Sequence, residues 1–199
     1  MALTGGIGSG KSEALDAFAR CGAAVLSSDE VVHDLYGDPE VVDAVVRRFG
    51  PSVIGGDSRL DRRALGALAF AEPDGIAFLE RLLHPLVEDR RRAWAGAQRR
   101  RRPPPPLLVC EVPLLFEGGG EVRFDAVLVV SASDAIRRSR VEARGQRFAE
   151  RGDRQLPEEE KRARADRWFM NDGPLEALAG WVAERFREYA GVPCGHAPG

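Results

Sequence analysis

The sequence predicts an α/β protein in which a parallel β-sheet lies between two layers of helices. Two patterns along its 199 residues lead to this prediction. Short apolar runs of strand length alternate with amphipathic segments of helical period, as expected when helices connect parallel strands. A glycine-rich segment also separates the first apolar run from the first helical segment, which is typical of a tight turn between a strand and a helix.

Five segments are predicted strands, because each is a short apolar run of strand length. They are MAL at 1–3, AAVLSS at 23–28, LLVCEV at 107–112, DAVLVVS at 125–131 and RWFM at 167–170. The first predicted strand has only three residues, because the sequence begins at Met1. We therefore expect its edge to be frayed, unless the true N-terminus lies upstream.

The predicted helices between these strands cover residues 12–20, 29–36, 39–49 and about 174–190, and a glycine closes each of the first three. Residues 58–102 differ, because they have helical period with no strand between them. This stretch is predicted to be a helical insertion in a core formed by residues 1–57 and 103–199. It ends in RRRRPPPP at 99–106, which we interpret as a solvated helix end followed by an extended connector.

Composition excludes several classes of protein. The chain is 44% hydrophobic and 30% charged, as in globular proteins, and its formal charge of −2 does not favour a nucleic-acid binder. No apolar run reaches the ~18 residues of a membrane span, and the N-terminus does not resemble a signal peptide. The three cysteines lack metal-ligand spacing and their odd number argues against a disulfide framework, so reduced thiols in a cytoplasmic protein are expected.

The segment LTGGIGSGKS contains the phosphate-loop motif G-x-x-x-x-G-K-[ST], in which Gly5, Gly10, Lys11 and Ser12 are the defining residues. In such a loop, backbone N–H groups and the start of the helix bind phosphate, the lysine reaches the β- and γ-phosphates, and the hydroxyl can bind Mg²⁺. A fortuitous glycine-rich turn is the alternative. The motif predicts nucleotide binding without the reaction type, because motors, GTPases and kinases share it.

Asp29 is the candidate for the acceptor side of this site. It follows the second predicted strand directly, and ligands of open parallel sheets bind at the carboxyl ends of strands. A kinase needs such a group to orient and deprotonate the acceptor hydroxyl. Asp29 could instead cap the next helix, although Ser27 and Ser28 are better placed to do so.

Six segments in register resemble the dephospho-CoA kinase family. They are ALTGGIGSGKS, VLSSDEVVHDLY, LDRRAL, LLHPLV, VPLLFE and QLPEEEKRARADRWFMNDG, and together they extend over about residues 2–190. The resemblance implies a P-loop kinase with a five-stranded parallel core, a helical acceptor-binding insertion and a lid at about 140–157. It further implies transfer of the γ-phosphate of ATP to the ribose 3′-hydroxyl of dephospho-CoA, with Mg²⁺, in the final step of coenzyme A biosynthesis. The protein would act as a monomer or small homo-oligomer, without nucleic acid or membrane.

The resemblance also implies roles for individual residues. Lys11, Asp29 and Arg140 would be catalytic, with Asp29 as the base, and Ser12 would bind Mg²⁺. The expected ATP-binding residues are Gly6, Gly8, Ser9, Gly10, Lys11, Ser12, Glu13, Arg144 and Asn171, and the expected acceptor-binding residues are Asp29, Arg62, Arg63 and His84. Arg140 and Arg144 could instead form a solvated basic face, and His84 could be structural.

The sequence departs from the family pattern at some positions. Ser27 stands where the family has a first acid before Asp29, and the lid is several residues shorter than usual. Glu111 could lie near Mg²⁺ or be an ordinary buried acid. Two alternatives therefore stay open: a P-loop kinase of another small acceptor such as a nucleoside monophosphate, and an ATP-binding regulator without turnover.

Overall fold

The computed structural model describes residues 1–56, 59–143 and 155–195 and divides the chain into two compact units. One unit comprises Met1–Ser27 and Ala95–Gly199, and the other comprises Ser28–Trp94. The first unit contains a β-sheet with helices. The described part of the second is mainly helical, with one isolated bridge between Ile54 and Leu60.

The sheet has five parallel strands in the order β2-β3-β1-β4-β5. They are β1 Ala2–Thr4, β2 Ala24–Ser27, β3 Leu108–Glu111, β4 Val127–Ser131 and β5 Arg167–Met170. All five predicted strands are confirmed. The expectation of a frayed first strand is wrong, because β1 is the central strand and Ala2 pairs with both Cys110 and Val127.

The helices of the structure agree closely with the predicted helices. In chain order they are α1 Lys11–Arg20, α2 Ser28–Leu35, α3 Pro39–Phe49, α4 Arg62–Ala71, α5 Gly75–Arg99, α6 Asp134–Ala143, α7 Glu158–Ala163 and α8 Leu175–Ala190, with short 3₁₀ helices at Pro51–Val53 and Glu121–Arg123. The four helices predicted between the strands lie within one residue of these bounds. Within the described ranges, no helix is both long and apolar enough to cross a bilayer.

Both faces of the sheet are buried. Neighbouring residues of its central strands point to opposite faces, so alternate side chains enter different cores. Leu3, Leu128 and Val130 face a core that also contains Phe18 of α1 and Phe186 of α8. The intervening residues of the same strands face a second core, which is formed by Ala2, Val127, Val129, Leu115 and Phe116. Helices and loops on both sides of a parallel sheet are the arrangement that the sequence predicts.

In the second unit, two helices begin at aspartate caps. The Asp38 carboxylate accepts the backbone N–H of Glu40 at 3.2 Å at the start of α3. Asp61 accepts the backbone N–H groups of Arg63 at 2.8 Å and Ala64 at 3.1 Å at the start of α4. Such caps satisfy N–H groups that have no partner within the helix.

The expectation of three reduced cysteines is wrong, because Cys21 and Cys194 form a disulfide. Their Cα atoms lie 4.3 Å apart although 173 residues separate them in sequence. The pairing follows from the packing of α8 along α1, which returns the chain to the end of α1, where the Gly195 N–H donates to the Cys21 carbonyl. Cys110 is buried and is not part of this disulfide.

Candidate functional site

The phosphate-loop motif forms the connection between β1 and α1. Gly10 caps α1 with a φ of 101°, a left-handed conformation that favours glycine. A side chain at this position would also collide with the amide of Asn171. The buried Asn171 Nδ2 donates to the Ser9 carbonyl at 2.8 Å, so the loop after β5 holds the phosphate loop in place.

Lys11 lies in the first turn of α1, where its Nζ donates to the Gly6 carbonyl at 3.1 Å. This bond folds the lysine back over the loop that it follows. Ser12 is exposed and Glu13 is half-buried in the same turn. The start of α1 thus presents the lysine, a hydroxyl and the positive end of a helix dipole together, a combination that suits phosphate groups.

Arg140 reaches the phosphate loop from α6. Its Nη1 donates to the carbonyls of Gly8 and Ser9, at 3.4 Å in each case, and its Nη2 donates to the carbonyl of Asn171 at 3.0 Å. The structure therefore brings Arg140, Asn171 and the loop glycines together at one end of the sheet. Arg144, an expected ATP-binding residue, lies outside the described residues, as do residues 145–154 of the predicted lid.

Glu111 ends β3, next to the central strand, with Leu3 opposite it. Its side chain is buried, and its Oε2 accepts the hydroxyl of Ser27, the last residue of β2, at 3.0 Å. A carboxylate is thus present at the carboxyl ends of the strands, although Ser27 stands where the family has an acid. The serine orients the carboxylate rather than supplying a second one.

The donors present are suited to Mg²⁺ that is bound largely through a nucleotide. This ion usually takes one or two protein ligands and completes its shell with phosphate oxygens and water. Ser12 follows β1 and the phosphate loop, and Glu111 ends the neighbouring strand β3, so both are candidates for this role. Among the described residues, no group of three or more His, Cys, Asp or Glu side chains could hold a metal by itself.

Sequence reasoning missed a set of charged side chains around the phosphate loop. Arg137 and Glu158 lie against Gly6, and Glu158 Oε2 accepts the hydroxyl of Ser131 at 2.6 Å. Lys161 is completely buried, with its Nζ 3.3 Å from Glu117 Oε1. The signal for Lys161 was available, because the chain has only two lysines.

The segment before α7 is bonded to the phosphate loop. Gln155 Oε1 accepts the backbone N–H of Ile7 at 3.0 Å, and Glu117 Oε1 accepts that of Leu156 at 2.8 Å. Ile7 belongs to the phosphate loop itself. The described end of the predicted lid is therefore tied to the phosphate loop by one side-chain hydrogen bond and to the loop after β3 by another.

The predicted acceptor residues belong to the second unit. Asp29 is exposed in the first turn of α2, Arg62 and Arg63 are exposed in the first turn of α4, and His84 is exposed on α5. Burial raises the pKa of the Tyr36 phenol, and the charge of Arg62 opposes that rise, so these two side chains lie near one another.

The chain is similar to a known family of proteins along most of its length. A family model for dephospho-CoA kinase matches residues 1–177. Dephospho-CoA kinases from Deinococcus radiodurans, at 40% identity over 94% of this chain and 91% of that protein, and from Chlorobaculum tepidum, at 34% over 93% and 92%, are among its relatives.

Solved structures show the same fold. The protein TT1252 from Thermus thermophilus aligns with a TM-score of 0.77 and 38% identity over 94% of this chain and 95% of that one. A dephospho-CoA kinase from Campylobacter jejuni aligns with a TM-score of 0.63 over 96% and 98% of the two chains. At 20% identity, this alignment shows only that the two chains share a fold.

Proposed function

The chain belongs to the dephospho-CoA kinase family, and we propose on that basis that it transfers the γ-phosphate of ATP to the ribose 3′-hydroxyl of dephospho-CoA. This reaction is the final step of coenzyme A biosynthesis and makes the protein an ATP-dependent phosphotransferase. The observation that carries the proposal is a complete phosphate loop, braced by Arg140 and Asn171, in a chain that matches the family over residues 1–177. The family model and the relatives support neither another acceptor nor a regulator without turnover.

The phosphate loop and α6 supply the charge that the reaction needs. Lys11 contacts the β- and γ-phosphates from the first turn of α1, and Arg140 stabilises the charge on the transferring group. Both side chains already contact the loop, Lys11 at the Gly6 carbonyl and Arg140 at the carbonyls of Gly8 and Ser9. Fixed cations of this kind stabilise a transition state without having to reorganise during the reaction.

The chemical step is an in-line displacement at the γ-phosphorus. A bond forms from the 3′-oxygen to this phosphorus as the bond to the bridging oxygen of ADP breaks. Asp29 accepts the proton of the 3′-hydroxyl. Its exposure in the first turn of α2, two residues after β2, suits a base that must meet an incoming substrate.

Mg²⁺ would neutralise part of the charge on the phosphates of ATP. Ser12 would hold it directly. Glu111, oriented by Ser27 at 3.0 Å, would contribute its carboxylate to this site. The second unit would bind dephospho-CoA, with Arg62 and Arg63 near its anionic groups and His84 bracing the pocket.

The decisive experiment is an assay of ADP formation with Mg-ATP and dephospho-CoA, comparing wild type with Asp29→Asn. We expect turnover to fall about 10²-fold or more when the base is removed, while ATP binding measured by calorimetry is preserved. Glu30→Gln, which alters the next exposed acid of α2, is the matched control. Unchanged turnover in Asp29→Asn would remove this residue from the mechanism.

The acceptor is tested with the same assay. Dephospho-CoA should support ADP formation, while nucleoside monophosphates at equal concentration should not. A product with phosphate on the ribose 3′-oxygen, identified by phosphorus NMR, completes the assignment. Absence of ADP formation that depends on dephospho-CoA would refute the proposed function.

A further inference from the structure

Three charged groups meet at Gly6 in the phosphate loop. Lys11 Nζ donates to its carbonyl at 3.1 Å. A Cβ atom on Gly6 would lie 2.5 Å from Arg137 Nη1 and 2.5 Å from Glu158 Oε1, so both groups lie directly on this residue. The terminal phosphates of ATP are expected where Lys11 can reach them, and Arg137 lies against the same loop residue that Lys11 contacts.

The backbone of α6 also packs directly on the loop. A Cβ atom on Gly8 would lie 2.6 Å from the carbonyl oxygen of Arg137. Arg140, one turn further along α6, contacts the carbonyls of Gly8 and Ser9. Residues three apart share one helix face, so Arg137 and Arg140 approach the loop side by side.

The Arg137 side chain is largely buried and is held in place by an ion pair. Its side chain is only 11% exposed, and its Nη2 forms an ion pair of 2.6 Å with Asp134, which is 79% exposed. A guanidinium fork bound at one edge keeps a fixed orientation. The neighbouring Arg138 is exposed on the same helix.

We propose that Arg137 binds the γ-phosphate of ATP. This rests on the proposed function, to which it adds a second α6 arginine in the site. Arg137 acts from the Gly6 side of the loop and Arg140 from the Gly8 and Ser9 side. Glu158, whose Oε2 is held by Ser131 at 2.6 Å, supplies the negative charge that faces this cluster before the nucleotide binds.

The test compares nucleotide affinities, which do not depend on the acceptor. Dissociation constants for ADP and for an ATP analogue with a non-hydrolysable γ-phosphate are measured by calorimetry in wild type, Arg137→Gln, Arg137→Lys and Arg138→Gln. In Arg137→Gln we expect the affinity for the analogue to fall roughly tenfold to a hundredfold and that for ADP to change little, because a charge-assisted contact to the γ-phosphate is lost. Arg137→Lys should lie between it and wild type, and Arg138→Gln should match wild type.

Other outcomes overturn the proposal. If Arg137→Gln loses affinity for both nucleotides equally, Arg137 only holds α6 against the loop. If the variant keeps wild-type affinity for both nucleotides, Arg137 does not touch the γ-phosphate. If Arg137→Gln fails to fold, Arg137→Lys decides by the same comparison. Because wild-type phosphorylation of dephospho-CoA is assayed separately, failure of the proposed function and failure of the Arg137 assignment give different results.

Discussion

Lys161 Nζ lies 3.3 Å from Glu117 Oε1 and 3.9 Å from Glu158 Oε1, and the lysine side chain is completely buried. The three groups join α7 to the loop after β3, next to the phosphate loop. Removing one partner from a buried ion pair leaves the other charge uncompensated, which is more costly than losing an exposed pair.

Lys161→Met should therefore lower the free energy of unfolding by about 3–5 kcal/mol, as measured by urea denaturation. Arg167→Met is the matched control, because it removes a cation whose side chain is 48% exposed and paired with Glu188, and it should cost less than about 1 kcal/mol. Adding Glu117→Gln to Lys161→Met should recover part of the loss. Equal effects of the two single substitutions would contradict a structural role for the buried charge.

Ser27→Ala should destabilise the protein by about 1–3 kcal/mol, because the substitution removes a hydroxyl that donates to the buried Glu111 carboxylate. The loss would be measured by chemical denaturation, with the exposed Ser139→Ala as control. The concentration of Mg²⁺ needed for half-maximal activity should also rise, since Glu111 loses its orientation. Stability loss without a change in the Mg²⁺ requirement would exclude Glu111 from the metal site.

Asn171→Asp should raise the KM for ATP by roughly tenfold, because a carboxylate cannot donate to the Ser9 carbonyl that the amide contacts at 2.8 Å. The substitution keeps the size of the side chain, so the packing against Gly10 is retained. Steady-state kinetics at saturating dephospho-CoA measure the effect. Glu176→Gln on the exposed start of α8 should leave the KM unchanged. A wild-type KM in Asn171→Asp would show that this bond does not shape the loop.

Reduction of the disulfide between Cys21 and Cys194 should lower the melting temperature. A crosslink between residues 173 apart restricts the unfolded chain, and loop-closure entropy gives an upper estimate of about 5 kcal/mol. Melting curves with and without dithiothreitol test this, and the double variant Cys21→Ala with Cys194→Ala should melt alike in both buffers. Identical melting of oxidised and reduced wild type would mean that the crosslink contributes no stability.

Much of the fold could be predicted from the chain alone. The five strands and the helices between them are local features, because their residues repeat with periods of two or about 3.6. The phosphate-loop motif is equally local, since its glycines, lysine and serine are neighbours in the chain and need only a strand before them and a helix after them.

Some errors came from features that are not local. The three residues of β1 looked like a frayed end, yet pairing with strands more than a hundred residues away makes this strand central. The cysteines looked unpaired because their number is odd, and only the packing of α8 against α1 brings Cys194 to Cys21. Arg137 was not among the predicted site residues, because helical spacing does not say what the helix lies against.

The sequence by itself determined the secondary structure, the phosphate loop and the family. The tertiary structure alone decided which distant side chains meet around that loop, such as Asn171 with Ser9, 162 residues apart, and Ser27 with Glu111, 84 residues apart. The physical reason is the order of strands in the sheet. Periodicity and propensity act over a few residues, whereas the order β2-β3-β1-β4-β5 places the ends of distant segments side by side.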